Sequence, residues 1–301
     1  MTKSKQAVKA EFARIKTNTR KLYSLADSVT ETEKLFRTFD DGDMPELTPT
    51  GIRAIDQVIG GVGESTFGCI GAGPGIGKSS VVLSALVSLQ VAGIKAGYQS
   101  NEDGPDMVGS RILARYSGVN SLDIRKKSFT SEEYDDLLSA RADLDAMAAK
   151  EHAFLTSYAV SGSLSQTVEG VHALGEAGCK IIYLDYLQKI HGKSGDRRYD
   201  IGQTLNELHG AAAKHGASLI ALSQISRQAN PGKMPSRFAL KESGDIENEA
   251  RMILMLCKDG DDGVLGNLDK SSFGGEGTRC KWERRSCGTL WEVQYEDTDE
   301  I

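Results

Sequence analysis

The chain has 301 residues, with 36 Lys and Arg against 42 Asp and Glu, a formal net charge of −6 and five cysteines without a CxxC pair. Its apolar fraction of 39% and charged fraction of 26% exclude a disordered chain, and no apolar run of helical span length exists. The unpaired cysteines and five histidines without zinc spacing argue against a disulfide framework or structural zinc and for a reducing cytosol. The acidic balance speaks against non-specific coating of nucleic acid but leaves room for a local basic track.

Residues 1 to 40 read as helical, with Val8, Phe12, Ile15, Leu22 and Leu25 near one face. That face packs on its own domain or on a neighbouring subunit, and the sequence leaves both open. Met1-Thr2-Lys3-Ser4-Lys5 starts a polar pattern, so no secretory leader is expected. Asp40-Asp41-Gly42-Asp43-Met44-Pro45 breaks the helix, which predicts a helical extension and linker over 1–44 and one α/β domain over 45–301.

Beyond Thr48, short apolar runs alternate with helical patterns. Strands are expected at Thr66–Gly71, Ala96–Ser100, Ala153–Thr156, Lys180–Asp185, Ser218–Ser223 and Met252–Cys257. Helices are expected at Lys78–Val91, Asp106–Tyr116, Ser131–Lys150, Leu164–Glu176 and Ile201–His215. This alternation implies a mostly parallel sheet covered on both faces, with ligands at the carboxyl ends of its strands. Thr278–Glu283 and Thr289–Tyr295, around Cys287-Gly288, read as an antiparallel hairpin on the sheet edge.

Gly71-Ala72-Gly73-Pro74-Gly75-Ile76-Gly77-Lys78-Ser79-Ser80 follows a strand and opens a helix. It matches G-x-x-x-x-G-K-[ST] except that Ala72 holds the first glycine position. Small residues let consecutive N–H groups curl around phosphates at a helix N-terminus. Gly73, Pro74, Gly75, Ile76, Gly77, Lys78, Ser79 and Ser80 are therefore the expected nucleotide cradle. Lys78 would reach the β and γ phosphates, and the Ser79 hydroxyl would ligate Mg²⁺. Such a loop needs a second carboxylate at the end of a neighbouring buried strand, and Ile181-Ile182-Tyr183-Leu184-Asp185 supplies it, with Asp185 holding Mg²⁺ through water. Glu102, just past Ala96–Ser100, is the expected general base or water-positioner. Gln224, ending Ser218–Ser223, is expected to sense the γ-phosphate.

With these residues in place, the chain over about 45–295 resembles the hexameric DnaB-type helicases, whose motor domain is RecA-like. The likeness rests on Thr50-Gly51-Ile52-Arg53-Ala54-Ile55-Asp56 with Gly60-Gly61, on a P-loop that in this family often begins with Ala, and on Glu102 at the catalytic glutamate. Arg111-Ile112-Leu113-Ala114, Leu184-Asp185-Tyr186-Leu187-Gln188 and Ala221-Leu222-Ser223-Gln224 add to it. Most specific is Lys241-Glu242-Ser243-Gly244-Asp245-Ile246-Glu247, similar to the loop that grips single-stranded DNA in the ring's channel. The resemblance implies ATP and Mg²⁺ as cofactors, single-stranded DNA as partner, a homo-oligomer (a hexamer) and 5′→3′ movement. The resemblance further implies primase or a loader as partners, no membrane, and the cytoplasm of a bacterium or phage-infected cell as the setting.

Arg227, Lys233, Arg237, Lys241, Glu242 and Gly244 form the expected DNA-binding set, because cations and exposed N–H groups can track a phosphate backbone without reading bases. His191–Arg198 is a second channel-loop candidate or a solvated turn. In the family a Lys and an Arg two residues apart, before a Gly, reach the next subunit's γ-phosphate. The corresponding stretch here is Lys281-Trp282-Glu283-Arg284-Arg285-Ser286-Cys287-Gly288-Thr289. Ungapped, it puts Glu283 in the finger position, which is wrong for stabilising added negative charge. Arg284 or Arg285 is therefore expected as finger, with Lys281 as companion, unless the arginines only decorate a hairpin. The family's N-terminal domain has no counterpart in these 301 residues, which suggests a compact, phage-like version. Glu296-Asp297-Thr298-Asp299-Glu300 is a solvated end or a partner-binding tail. A RecA/RadA-like recombination ATPase, or an adaptor ATPase without unwinding, are the competing readings.

Overall fold

The computed structural model describes residues 47–150, 153–190, 197–225, 233–240 and 243–296. The expected helix over 1–44, most of the 191–198 loop and the acidic end from Asp297 lie outside the described residues. The compact unit that carries the sheet begins at Leu47.

In chain order this unit runs α1 (Arg53–Ile59), β1 (Phe67–Ala72), α2 (Lys78–Val91), β2 (Ala96–Ser100), α3 (Pro105–Ser117), α4 (Ser121–Lys126), α5 (Ser131–Ala148) and β3 (Leu155–Tyr158). It continues with α6 (Leu164–Glu176), β4 (Ile181–Asp185), α7 (Arg197–Ala213), β5 (Ser218–Gln224), α8 (Ser243–Glu249), β6 (Met252–Asp259), β7 (Gly263–Ser271), β8 (Arg279–Arg284) and β9 (Leu290–Val293). The nine strands form one sheet in the order β3-β2-β4-β5-β1-β6-β7-β8-β9. From β3 to β6 all neighbours pair parallel, and from β6 to β9 all pair antiparallel.

The period-two alternation of the buried strands sorts their side chains between two apolar layers. Ile181 and Tyr183 of β4 join α1, α2 and α3 in one layer, while Ile182 and Leu184 join α6 and α7 in the other. Helix α2 is buried on nearly every side, from Val81 to Leu89, because the sheet lies under it and Leu290 of β9 reaches its start. The lead-in Thr50–Asp56 is a brace. The Asp56 carboxylate accepts from Thr50 N (2.7 Å), Thr50 Oγ1 (2.7 Å) and Gly51 N (2.9 Å). The Thr50 carbonyl accepts from the Tyr183 hydroxyl of β4, and Glu292 of β9 accepts the Arg53 and Ala54 N–H groups, each at 2.9 Å. Gly51 has φ +76°, and a Cβ there would stand 2.4 Å from the Ala85 carbonyl oxygen of α2, so this position requires glycine.

The expected strands and helices are all present, Lys78–Val91, Ala96–Ser100 and Leu164–Glu176 with the expected ends and the others with shifted ends, and the C-terminal hairpin is β8–β9. Four elements lie outside the expectations: α1, α4, α8 and β7. Strand β7 buries only alternate positions, Val264, Gly266 and Leu268. The middle one is glycine because the Trp282 ring of β8 occupies its side-chain space, 3.0 Å from a Cβ built there. With its central inward residue missing, the alternation that marks a strand is hidden from the sequence. Within the expected DNA-contact segment, Ser243 to Glu247 are helical, anchored by the buried Ile246.

Candidate active site

The segments at the carboxyl ends of β1, β2 and β5 line one cleft of about 420 Å³, the position where open parallel sheets take ligands. Pro74, Gly75, Gly77, Lys78, Ser79 and Ser80 of the glycine-rich turn line it, with Glu102, Gln224 and Arg284. Gly77 adopts φ +115° immediately before α2, and a Cβ there would press to 3.1 Å from Leu290. Gly73 turns its carbonyl to Lys78, whose Nζ donates at 3.4 Å to both Ala72 O and Gly73 O. Ile76 packs against the apolar core rather than into the cleft.

Lys78 is 8% exposed, and burial lowers its pKa while Asp185 and then Glu102 counteract that. Asp185 is 1% exposed. Burial raises its pKa, opposed by the hydroxyls of Ser79 and Tyr98 and by the charge of Lys78. The Tyr98 hydroxyl donates to Asp185 Oδ2 at 2.6 Å, whereas the buried Oδ1 has no hydrogen-bond partner. A buried carboxylate oxygen left open beside a serine hydroxyl and a lysine fits a hydrated divalent cation. Glu102 opens on the cleft, and its pKa is raised by desolvation first and the Asp185 charge second, with Lys189 pulling it back.

The turn bearing Glu102 is pinned from both sides. Ser100 Oγ donates to Asp103 O at 2.7 Å and accepts from Asp103 N at 3.1 Å, and Asp103 pairs with Arg111 of α3 at 2.6 Å. The tip of β5 is braced likewise: the Gln188 side chain accepts from Gln224 N at 3.0 Å and donates to Ser223 Oγ at 2.8 Å. Gln188 and Arg111 stand inside recognisable motifs, but their roles as braces emerge only in three dimensions. Arg115 has no sequence signal at all. Its Nη1 donates to Leu290 O at 2.7 Å and its guanidinium lies 3.9 Å over the Trp291 ring, so it ties α3 to β9 beside the cleft.

The tail residues separate. Arg284 faces the cleft of its own chain, with Nη1 donating to Gly288 O at 2.7 Å. Lys281, three positions away on the same strand, projects from the opposite face. There it pairs with Asp259 at 3.1 Å and Glu283 at 3.9 Å. Arg285 is exposed in the turn after β8, where its carbonyl accepts from Gly288 N at 2.8 Å. Lys281 and Arg284 are thus not brought together as finger and companion.

Of the expected DNA-binding set, Arg227, Lys241 and Glu242 lie outside the described residues. Lys233 is exposed, and Gly244 is exposed in the first turn of α8. Arg237 is already committed within the chain, donating to Glu247 (3.2 Å) and to the Asp269 carbonyl (2.6 Å). Among the described residues no cluster of His, Cys, Asp and Glu fit to hold a metal alone is found, and no helix is long and apolar enough to cross a membrane.

A glycine-rich turn between β1 and α2, an acidic end to β4 and a carboxylate past β2 on this sheet define a RecA-like P-loop ATPase fold. Within that class, residues 48–271 match the DnaB-like helicase C-terminal domain, and the chain belongs to that family. It is 26% identical over 213 residues to a probable plasmid replicative DNA helicase of Chlamydia trachomatis, covering 69% of this chain and 46% of the relative. With the replicative DNA helicase DnaB of Geobacillus stearothermophilus it shares 25% over 243 residues, 75% of this chain and 52% of the relative. The chain therefore spans about half the length of these relatives. Among solved structures, an isolated ATPase domain superposes with a TM-score of 0.76 at 21% identity, covering 90% of this chain and 99% of that one. A DnaB-like replicative helicase studied for its interactions with primase gives 0.75 at 21%, covering 97% and 73%.

Proposed function

We propose that this chain is the motor of an ATP-dependent replicative DNA helicase, moving on single-stranded DNA as a ring of identical subunits and opening duplex at a fork. The observation that carries the reading is the convergence of Lys78, Ser79, Glu102 and Gln224 on one cleft, with Asp185 buried behind Ser79, in a member of the DnaB-like family. Lys78 and the turn N–H groups bind the triphosphate, Ser79 and Asp185 hold Mg²⁺, Glu102 orients and deprotonates the attacking water, and Gln224 reads the γ-phosphate. The metal, when bound, neutralises charge on the phosphate oxygens. Glu102 suits its role because its raised pKa brings it nearer the working pH than an ordinary carboxylate. The braces from Asp103–Arg111 and Gln188 hold Glu102 and Gln224 at fixed positions around the cleft, which is what positional catalysis needs.

In this reading single-stranded DNA follows the segments after β4 and β5, for which the sequence supplies Arg227, Lys233 and Lys241 as cations. A hexamer supplies a neighbour for each cleft, and primase or a loader are the partners to test. The division into an extension over 1–44 and a motor over 45–301 belongs to the same reading. The experiment is ATP hydrolysis with and without single-stranded DNA, wild type beside Glu102→Gln, together with opening of a forked duplex. DNA-stimulated hydrolysis lost in Glu102→Gln, with fork opening in the wild type, supports the proposal. Hydrolysis without fork opening overturns it in favour of a recombination or adaptor ATPase.

A further inference from the structure

Asp185 receives a hydrogen bond from a residue that the chemistry of phosphate binding does not call for. Tyr98 lies two positions before Ser100, and Ser100 is the register partner of Asp185 across the β2–β4 pairing. The Tyr98 side chain therefore shares a face with Asp185 and reaches it diagonally. Its ring is fully buried in the apolar layer with Val81, Val82 and Val108, and its hydroxyl donates to Asp185 Oδ2 at 2.6 Å. The other oxygen, Oδ1, has no hydrogen bond of ordinary geometry, and the Ser79 hydroxyl that holds down the Asp185 pKa stands beside the same carboxylate. The carboxylate backbone is tied at the same point, since Asp185 O accepts from Asn101 N at 2.6 Å.

An aliphatic residue or Phe would fill this core position equally well. The hydroxyl, by contrast, decides which carboxylate oxygen is used up. A phenol is neutral at ordinary pH and can donate one hydrogen bond, so Oδ2 is occupied and the carboxylate rotation is fixed. We infer that Tyr98 is a positioning residue for the metal site, locking Asp185 so that Oδ1 is the oxygen left to receive a divalent cation's water. This inference rests on the reading of Asp185 as a metal holder. It also makes β2 serve both carboxylates, with Tyr98 steering Asp185 from within the strand and Glu102 following its end.

The test uses the full chain with ADP and Mn²⁺ as the metal probe. Free Mn²⁺ is read by electron paramagnetic resonance, and ADP affinity in EDTA is read in parallel. Loss of a hydrogen bond that orients a metal ligand weakens metal binding by about 10–100-fold. Tyr98→Phe keeps the ring and removes only the hydroxyl, so Mn²⁺ affinity is expected to fall by at least about tenfold while ADP affinity in EDTA stays within about twofold. Tyr98→Met, which also lacks the hydroxyl but repacks differently, is expected to show the same loss, so that metal affinity follows the hydroxyl and not the ring. Asp185→Asn separates the two ways of failing. If it leaves Mn²⁺ affinity unchanged, the metal reading of Asp185 fails and the inference with it. If it weakens Mn²⁺ while Tyr98→Phe does not, the inference about Tyr98 alone is overturned.

Discussion

Replacing Gly51 by Ala tests whether the Thr50–Asp56 lead-in is a steric brace on the phosphate-loop helix. At φ +76° an alanine carries the left-handed backbone cost, about 1–2 kcal/mol. Its Cβ would also stand 2.4 Å from the Ala85 carbonyl oxygen and 2.8 Å from Leu89 Cγ, both on α2. Backbone cannot yield as a flexible side chain does, so overpacking adds about 1–3 kcal/mol. Gly118 provides the control, because it has φ +79° with nothing within 4 Å of a built Cβ and therefore carries the backbone cost alone. A domain of this size loses about 2–4 °C of melting temperature per kcal/mol. Gly118→Ala is then expected to melt about 2–8 °C low and Gly51→Ala about 4–20 °C low. Thermal unfolding by circular dichroism, with urea titration to check that the slope is unchanged, measures both. Equal shifts in the two variants would refute the reasoning, since the clash against α2 would then contribute nothing.

Hydrolysis should lose its acid side above the ordinary carboxylate range. Glu102 acts as a base only when ionised and its pKa is raised above 4.5 by desolvation and Asp185, so the rate falls as pH drops through that raised value. A kcat/KM profile with its acid limb at or below 4.5 contradicts this assignment. On the alkaline side, the lowered pKa of Lys78 means that nucleotide affinity declines as pH rises before an ordinary lysine would titrate, which equilibrium binding across pH can follow. For the tail, Arg284→Ala is expected to weaken ADP binding about tenfold or more even in dilute, unassembled chain, the loss of one charge-assisted contact in its own cleft, whereas Lys281→Ala leaves it unchanged. Unaltered ADP affinity in Arg284→Ala, with hydrolysis lost only on assembly, would place the arginine at a neighbour's cleft instead.

The phosphate turn was legible in the sequence because its chemistry is local. Lys78, Ser79 and the glycines form one short segment, and their spacing alone specifies a strand-to-helix turn rich in free N–H groups. The ends of β4 and β5 were nearly as legible, since Asp185 and Gln224 each close an apolar run of strand length, and Glu102 follows a short strand two residues on. The family match over 48–271 agrees with that reading.

What the sequence determined by itself was therefore the strands and long helices of the parallel core, the turn and the carboxylates beyond its strands, while the short helices α1, α4 and α8 carried too few turns to show a period. Tertiary structure decided the rest, because it depends on which face a side chain takes and what meets it from far along the chain. Strand β7 hid behind Gly266, whose missing side chain makes room for Trp282. Lys281 and Arg284 look like partners when read along the chain, yet the two-residue period of β8 sends them to opposite faces. Arg237 counts as a free cation in the sequence and is paired in the fold. The Tyr98 bond to Asp185, across 87 residues, could not be read before strand order and register brought β2 beside β4, because a hydrogen bond between distant residues is set by packing and not by spacing.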